Sequence, residues 1–274
     1  MSVTQAVLSA LHIYPIKSCR GIQLDAARLT PTGLSGDRHW MLVRPSGRFV
    51  TQRELPRMAL ITTALGERAL MLAAPGMSPL SVAREQDGES VAVTVWGFAG
   101  RGIDCGEEAA YWCTSFLGTP LRLMRFDASA PRECSTDWTG GVRALTEFSD
   151  GFPILVISRA SLAELNSRLP KALPMERFRP NLVLDGVGAY DEDRIHELRA
   201  EGIAIRIVKP CTRCAITTTE QSTGERDGVE PLATLKTYRF DAGLRGVMFG
   251  QNAIVVSGAC ATLRQGQQFE VVWR

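Results

Sequence analysis

Apolar and polar positions alternate from Val7 to Tyr14, in a run rich in branched side chains, and this period of two predicts a strand with one buried face. Pro15 breaks the run, and Lys17-Ser18-Cys19-Arg20-Gly21 reads as a polar turn. A second strand is expected over Ile22 to Thr30 and a turn over Gly33 to Arg38. A third strand, His39 to Arg44, returns through Ser46-Gly47 into Phe49 to Thr51. Short strands are expected at Ala59 to Ile61, Ala69 to Ala73 and Val91 to Val95. Spacing of this kind, punctuated by Gly, Pro and Ser, predicts a barrel-like all-β region.

The pattern then changes. Cys105 to Leu117 repeats at helical spacing and stops at Gly118, and Leu121 to Phe126 is again a strand. Asp127 to Gly141 is polar and holds Pro131, Gly140 and Gly141, so a domain boundary is drawn there, with residues 1–126 before it and 127–274 after it. In the second half Ile154 to Ile157 is a buried strand, and Ser158 caps a helix that runs to Pro170. Leu182 to Leu184, Ile203 to Val208, Ala253 to Val256 and Phe269 to Trp273 read as strands. Asp191 to His196 reads as a turn or short helix, and Pro231 to Tyr238 as a helix.

A chain of 274 residues with 45% hydrophobic and 22% charged residues can bury a sizeable core. The net charge of +2 is the balance of 31 basic and 29 acidic residues, the basic ones are spread along the chain, and no nucleic-acid partner is expected. No run approaches the roughly 18 apolar residues of a membrane span, and Met1 to Ala10 lacks the features of a signal peptide. A cytoplasmic protein without a membrane partner is therefore expected. Seven scattered cysteines do not make a disulfide framework.

The candidate chemistry centres on Lys209-Pro210-Cys211-Thr212-Arg213-Cys214, which places two thiols and two cations at a strand end. A structural zinc usually takes four ligands, and neither a second Cys-x-x-Cys nor a histidine pair is present. A thioredoxin-like pair sits at a helix start, whereas Ile216 to Thr219 reads as strand-like. Two inert buried cysteines remain open from spacing alone. Against that reading stand Lys209 and Arg213, which are costly to bury without an anion and which favour a thiolate. Arg179-Pro180-Asn181, Lys17-Ser18 and Arg38 could join Arg213 in an anion pocket. Asp150, at a turn before a buried strand, is either an Asx-turn residue or a carboxylate that moves protons.

Taken in order, Tyr14-Pro15-Ile16-Lys17-Ser18-Cys19, Gly36-Asp37-Arg38-His39-Trp40, Thr51-Gln52-Arg53-Glu54, Asp104-Cys105-Gly106-Glu107, Phe178-Arg179-Pro180-Asn181, Cys211-Thr212-Arg213-Cys214, Glu230 to Arg239 and Phe249-Gly250-Gln251-Asn252 resemble the MOSC proteins with an N-terminal MOSC β-barrel domain. The similarity runs from about Leu11 to the C-terminus and includes the amidoxime-reducing components. It implies a mixed α+β, mainly β fold, with an N-terminal β-barrel domain followed by a MOSC β-barrel with flanking helices. It implies a molybdenum cofactor, a pterin dithiolene with a phosphate, ligated by Cys214. Thr212, Arg213, Lys17, Ser18, Arg38, Arg179, Asn181 and Asn252 would contact the cofactor, and Asp150 would lie next to the metal-site loop.

The implied activity is reduction of amidoximes, hydroxamic acids and N-hydroxylated bases. Gly151-Phe152 replaces Thr-Ser of the animal relatives, Asn252 stands where they have tyrosine, and no counterpart of their membrane anchor is expected. The cluster motif of ferredoxin-bearing members is missing. No iron–sulfur cluster is therefore expected in this chain, and electrons should come from a separate flavin reductase or ferredoxin-type protein. A monomer is the expected state. The rival readings are a carrier of the cofactor or of sulfur without turnover, and a redox pair formed by Cys211 and Cys214.

Overall fold

The computed structural model describes residues 4–85 and 87–274. Seven strands close into a ring, in the order Ile154–Ser158, Leu182–Asp185, Gln5–Ile13, Gln268–Trp273, Ile195–Ala200, Ile203–Thr212 and Gly246–Ser257, with the last pairing back to the first. The expected alternation is visible in Gln5–Ile13, where Ala6, Leu8, Leu11 and Ile13 fill the barrel with Val156, Leu184, Ile205 and Phe269. Gly250 permits the closure. It has φ +80, and a Cβ there would stand 2.6 Å from Ile157 Cγ1 and 2.9 Å from Val156 O.

The second unit is a half-barrel. Its four-stranded sheet runs Trp40–Val43, Arg122–Phe126, Phe98–Asp104, Ser90–Val95, and a separate three-stranded meander joins Thr62–Leu65, Ala69–Ala73 and Leu80–Ala83. The helix Glu107–Leu117 buries Ala109, Trp112, Cys113 and Phe116 against Leu72, Leu80 and Leu123, and ends at Gly118 in the left-handed conformation as its sequence predicts. The mainly β fold with flanking helices is as expected. The line drawn at 126/127 is crossed in space. Gln5–Ile13 belongs to the closed barrel, and Ala26–Thr30 pairs with Thr262–Arg264 near the C-terminus.

Several local expectations need correction. Ile22 to Thr30 is two strands, because Ile22–Leu24 pairs with the barrel and Ala26–Thr30 turns away to the C-terminal segment. Ala59 to Ile61 is the end of a 3-10 helix, Pro56–Leu60, started by Pro56 and burying Met58 and Ala59. Phe49 makes a single bridge to Val43. Asp191–Asp193 is helical as expected, but Ile195–Ala200, which follows it, is a barrel strand. Ala215–Thr218 is a 3-10 turn despite its β-branched composition. The Thr217 and Thr218 hydroxyls donate back to Cys214 O and Ala215 O at 3.0 and 2.9 Å, and so hold the turn closed.

Candidate functional site

Burial alternates along Ile203–Thr212 as far as Ile207 and then ceases. The pairing with Gly246–Ser257 slips between Ile207 and Lys209 and again between Pro210 and Thr212. Proline cannot donate to a ladder, and bulges are where a sheet accepts it. The segment Lys209 to Cys214 thus leaves the regular wall and lines a cleft of about 400 Å³ between barrel and half-barrel. Lys17, Ser18 and Arg38 reach the cleft from the N-terminal turns. Asp150 comes from the loop before Ile154–Ser158, Arg179 and Asn181 from the segment before Leu182–Asp185, and Asn252 from the strand beside Lys209. Every residue singled out as a site candidate lines this one cleft.

The two thiols differ. Both are free and half-buried. Arg213 donates through Nη1 to Cys211 Sγ at 3.0 Å and through Nη2 to Phe178 O at 2.6 Å. The Cys214 thiol has no hydrogen-bond partner among the described residues, while its carbonyl is held by Thr217. Among the described residues no three His, Cys, Asp or Glu side chains gather to hold a metal ion. A metal taken by Cys214 must bring its other ligands with it.

The arginines are built in from below. Arg38 and Arg179 both stack on the Tyr14 ring, each with Cζ 4.2 Å from the centroid. Tyr14 donates its hydroxyl to Pro180 O at 3.1 Å, and burial pushes the phenol up to about 12. Arg38 Nη1 donates to Asp37 Oδ2 at 2.6 Å and to Asn181 Oδ1 at 2.9 Å, and Nη2 donates to Arg179 O at 3.2 Å. Arg179 donates through Nη1 to Cys19 O at 2.7 Å, yet its buried Nη2 has no partner, nor has the buried Nε of Arg213. Burial, with the neighbouring charge of Arg38, lowers the Arg179 guanidinium to about 10. Buried donors on cations are costly to leave empty. An anionic group in the cleft would fill them, so the residues present fit a phosphate-bearing ligand.

Lys17 is only 5% exposed. It donates to Phe148 O at 2.8 Å and to Asp150 Oδ1 at 2.5 Å. Burial lowers the ammonium, against the opposing pull of Asp150. Desolvation would raise Asp150, but the charge and hydrogen bond of Lys17, aided by Trp96, outweigh it and hold the carboxyl well below the usual range. A carboxylate held ionised in this way is a poor proton donor at neutral pH. Asp150 thus anchors Lys17 at the cleft. Asn181 is fixed in the cleft wall: its Oδ1 accepts from Arg38 and from Leu155 N, and its Nδ2 donates to His12 O, so it positions Arg38.

Of seven non-glycine residues with left-handed backbone among those described, Ser18, Arg38, Trp96 and Arg179 line the cleft. Each such conformation costs on the order of 1 kcal/mol or more and persists where the surroundings enforce it.

Residues 5–120 match the MOSC N-terminal beta barrel domain, and residues 145–270 match the MOSC domain. The chain belongs to the MOSC family. It is 38% identical over 241 residues to mitochondrial amidoxime reducing component 2 of Bos taurus and 39% identical over 243 residues to that of Rattus norvegicus. Each alignment covers 85% of this chain and 72% of the relative. Mitochondrial amidoxime-reducing component 1 of Mus musculus is 36% identical over 263 residues, covering 89% and 74% respectively.

In this MOSC protein the cleft also holds residues that sequence reasoning did not assign to it. Arg53 and Thr51 belong to the Thr51-Gln52-Arg53-Glu54 motif, to which no role was assigned, Phe152 stood out only as a departure from the animal relatives, and Trp96 gave no signal. Arg132 lies outside the lining and fixes it, donating to Glu147 O, Ser149 O and Asp150 O at 2.9, 2.6 and 3.1 Å. Gln52 and Gln221 exchange amide hydrogen bonds, and Gln52 also donates to Ser18 O at 2.7 Å, which ties the half-barrel to the turn after Cys214.

Proposed function

We propose that this MOSC protein holds a molybdenum cofactor through Cys214 and reduces N-hydroxylated compounds. The observation that carries the reading is the unpartnered Cys214 thiol set beside buried arginines with unfilled donors. The relatives' names, amidoxime-reducing components, support the same chemistry. Bound there, the cofactor would supply the two electrons that, with two protons, convert an N–OH group to N–H and water.

A thiolate is the soft ligand that a metal held by sulfur prefers. Arg179 Nη2 and Arg213 Nε would donate to the phosphate, for which a planar guanidinium is well shaped. Arg38, fixed by Asp37 and Asn181, adds positive charge without needing to move. Ser18 and Thr212 present hydroxyls to the cleft. Asn252, held only by a 3.4 Å bond to Pro210 O, can turn its amide to the pterin. Lys17, anchored by Asp150, adds a further positive charge to the cleft lining. With Asp150 held ionised, the protons are assigned to solvent entering by the open mouth.

The substrates proposed are amidoximes, hydroxamic acids and N-hydroxylated bases. Electrons would come from a separate flavin reductase or ferredoxin-type protein, with no iron–sulfur cluster in this chain, and the protein would act as a cytoplasmic monomer. Protein made in a cofactor-competent host should contain near-stoichiometric molybdenum with a releasable pterin. It should also reduce benzamidoxime with a chemical donor. Loaded protein that turns over no N-hydroxylated compound with any donor would make it a carrier instead.

A further inference from the structure

Arg53 stands at the cleft wall on a fixed mount. Its Nε and its backbone N–H both donate to Thr51 Oγ1 at 3.2 Å, and its carbonyl accepts from Arg226 Nη2 at 2.5 Å. Its Cζ lies 4.1 Å from the Trp96 ring centroid. No carboxylate pairs with it, and its two terminal nitrogens have no hydrogen-bond partner among the described residues. Trp96 forms the hairpin tip between Ser90–Val95 and Phe98–Asp104, 50% exposed and with φ 55. A bulky residue in that conformation is an outlier, and outliers that persist point to function. The indole is further fixed by donating from Nε1 to Asp150 Oδ1 at 2.9 Å. Asp150 is engaged by Lys17, so it leaves the Arg53 charge unanswered.

The buried donors of Arg179 and Arg213 suit a ligand that stays in place. Arg53 is half-exposed, and its open fork matches a carboxylate in bidentate fashion. Resting on the reductase reading above, we propose that Arg53, backed by Trp96, is a specificity determinant that selects N-hydroxylated substrates carrying a carboxylate on a planar body. The carboxylate binds the two free nitrogens of the guanidinium, and the planar body lies along the exposed indole. A neutral analogue leaves that fork unpaired.

The test compares benzamidoxime with 4-carboxybenzamidoxime, reduced by the cofactor-loaded protein with a chemical donor. The carboxylated compound should show a KM about tenfold lower with similar kcat, the scale of one charge-assisted contact. Arg53→Gln should bring the KM ratio close to one, and Arg53→Lys should keep part of it, with molybdenum content and circular dichroism confirming a loaded, folded protein. Equal KM values in the wild type, or a ratio that survives Arg53→Gln, would overturn the assignment. Calorimetric binding of 4-carboxybenzamidine against benzamidine reads the same preference without turnover. If neither oxime is reduced, the reductase reading fails, and the calorimetric ratio still decides on Arg53.

Discussion

Lys17 and Asp150 meet at 2.5 Å at the cleft, the lysine side chain 6% exposed and the aspartate 68%. The pair is therefore asymmetric. Removing the carboxylate leaves a buried ammonium with only Phe148 O to bind, whereas removing the lysine leaves the carboxylate its bond from Trp96 Nε1.

Asp150→Asn is expected to lower stability by only about 1 kcal/mol, because the amide oxygen can still accept from Lys17. The sign with pH follows from its lowered folded value. The pair's contribution is fully present above the ordinary aspartate pKa of about 4 and is lost as pH falls below it. Between pH 5 and 8 the activity profiles of wild type and Asp150→Asn should have the same shape. An acid limb in that range that disappears in Asp150→Asn would assign proton transfer to Asp150.

Ser18 occupies left-handed backbone with φ 66. Ser18→Gly removes the steric cost and the hydroxyl together. Unfolding in urea should show a gain of about 0.5–1 kcal/mol. Pterin retention on gel filtration should fall. A variant that is both less stable and fully loaded would show that the strain is absent and the hydroxyl idle.

Arg177 holds the turn after Cys214 from beneath. Its side chain is 1% exposed, and it donates to Glu220 Oε2 at 2.5 Å, Asp227 Oδ2 at 3.3 Å and Thr217 O at 3.3 Å. Desolvation raises Glu220, but the Arg177 hydrogen bond, with those of Ser222, outweighs it and pulls the carboxyl down to about 2. Arg177→Met should cost about 1–2 kcal/mol in urea unfolding at pH 7, because charged hydrogen bonds are lost while the partly exposed Glu220 and Asp227 carboxylates keep access to water. A depressed carboxylate stabilises above its unfolded pKa of about 4.3, so the difference between wild type and variant should shrink as pH falls from 5 toward 2. A difference independent of pH would remove the charge from the explanation.

Much of the fold was legible because alternation and glycine placement are local signals. Ala69–Ala73 matches its expected bounds, and Glu107–Leu117 ends at Gly118 as expected. The Thr217 and Thr218 hydroxyls defeated the strand reading of their segment by bonding backward, a choice that composition does not reveal. The cleft became legible only through the order of eight motifs, since Lys17, Arg179 and Cys214 are far apart in sequence. Trp96 and Arg132 were missed for the same reason. A hairpin tip and a loop arginine look ordinary until the fold sets them beside Asp150.

The central claim is that Cys214, and not Cys211, carries the metal. Molybdenum should be measured by elemental analysis on wild type, Cys211→Ser and Cys214→Ser made in the same cofactor-competent host. The expected result is near-stoichiometric metal in the wild type, most of it kept in Cys211→Ser, where Arg213 loses a sulfur acceptor, and almost none in Cys214→Ser. Retention in Cys214→Ser with loss in Cys211→Ser would contradict the account.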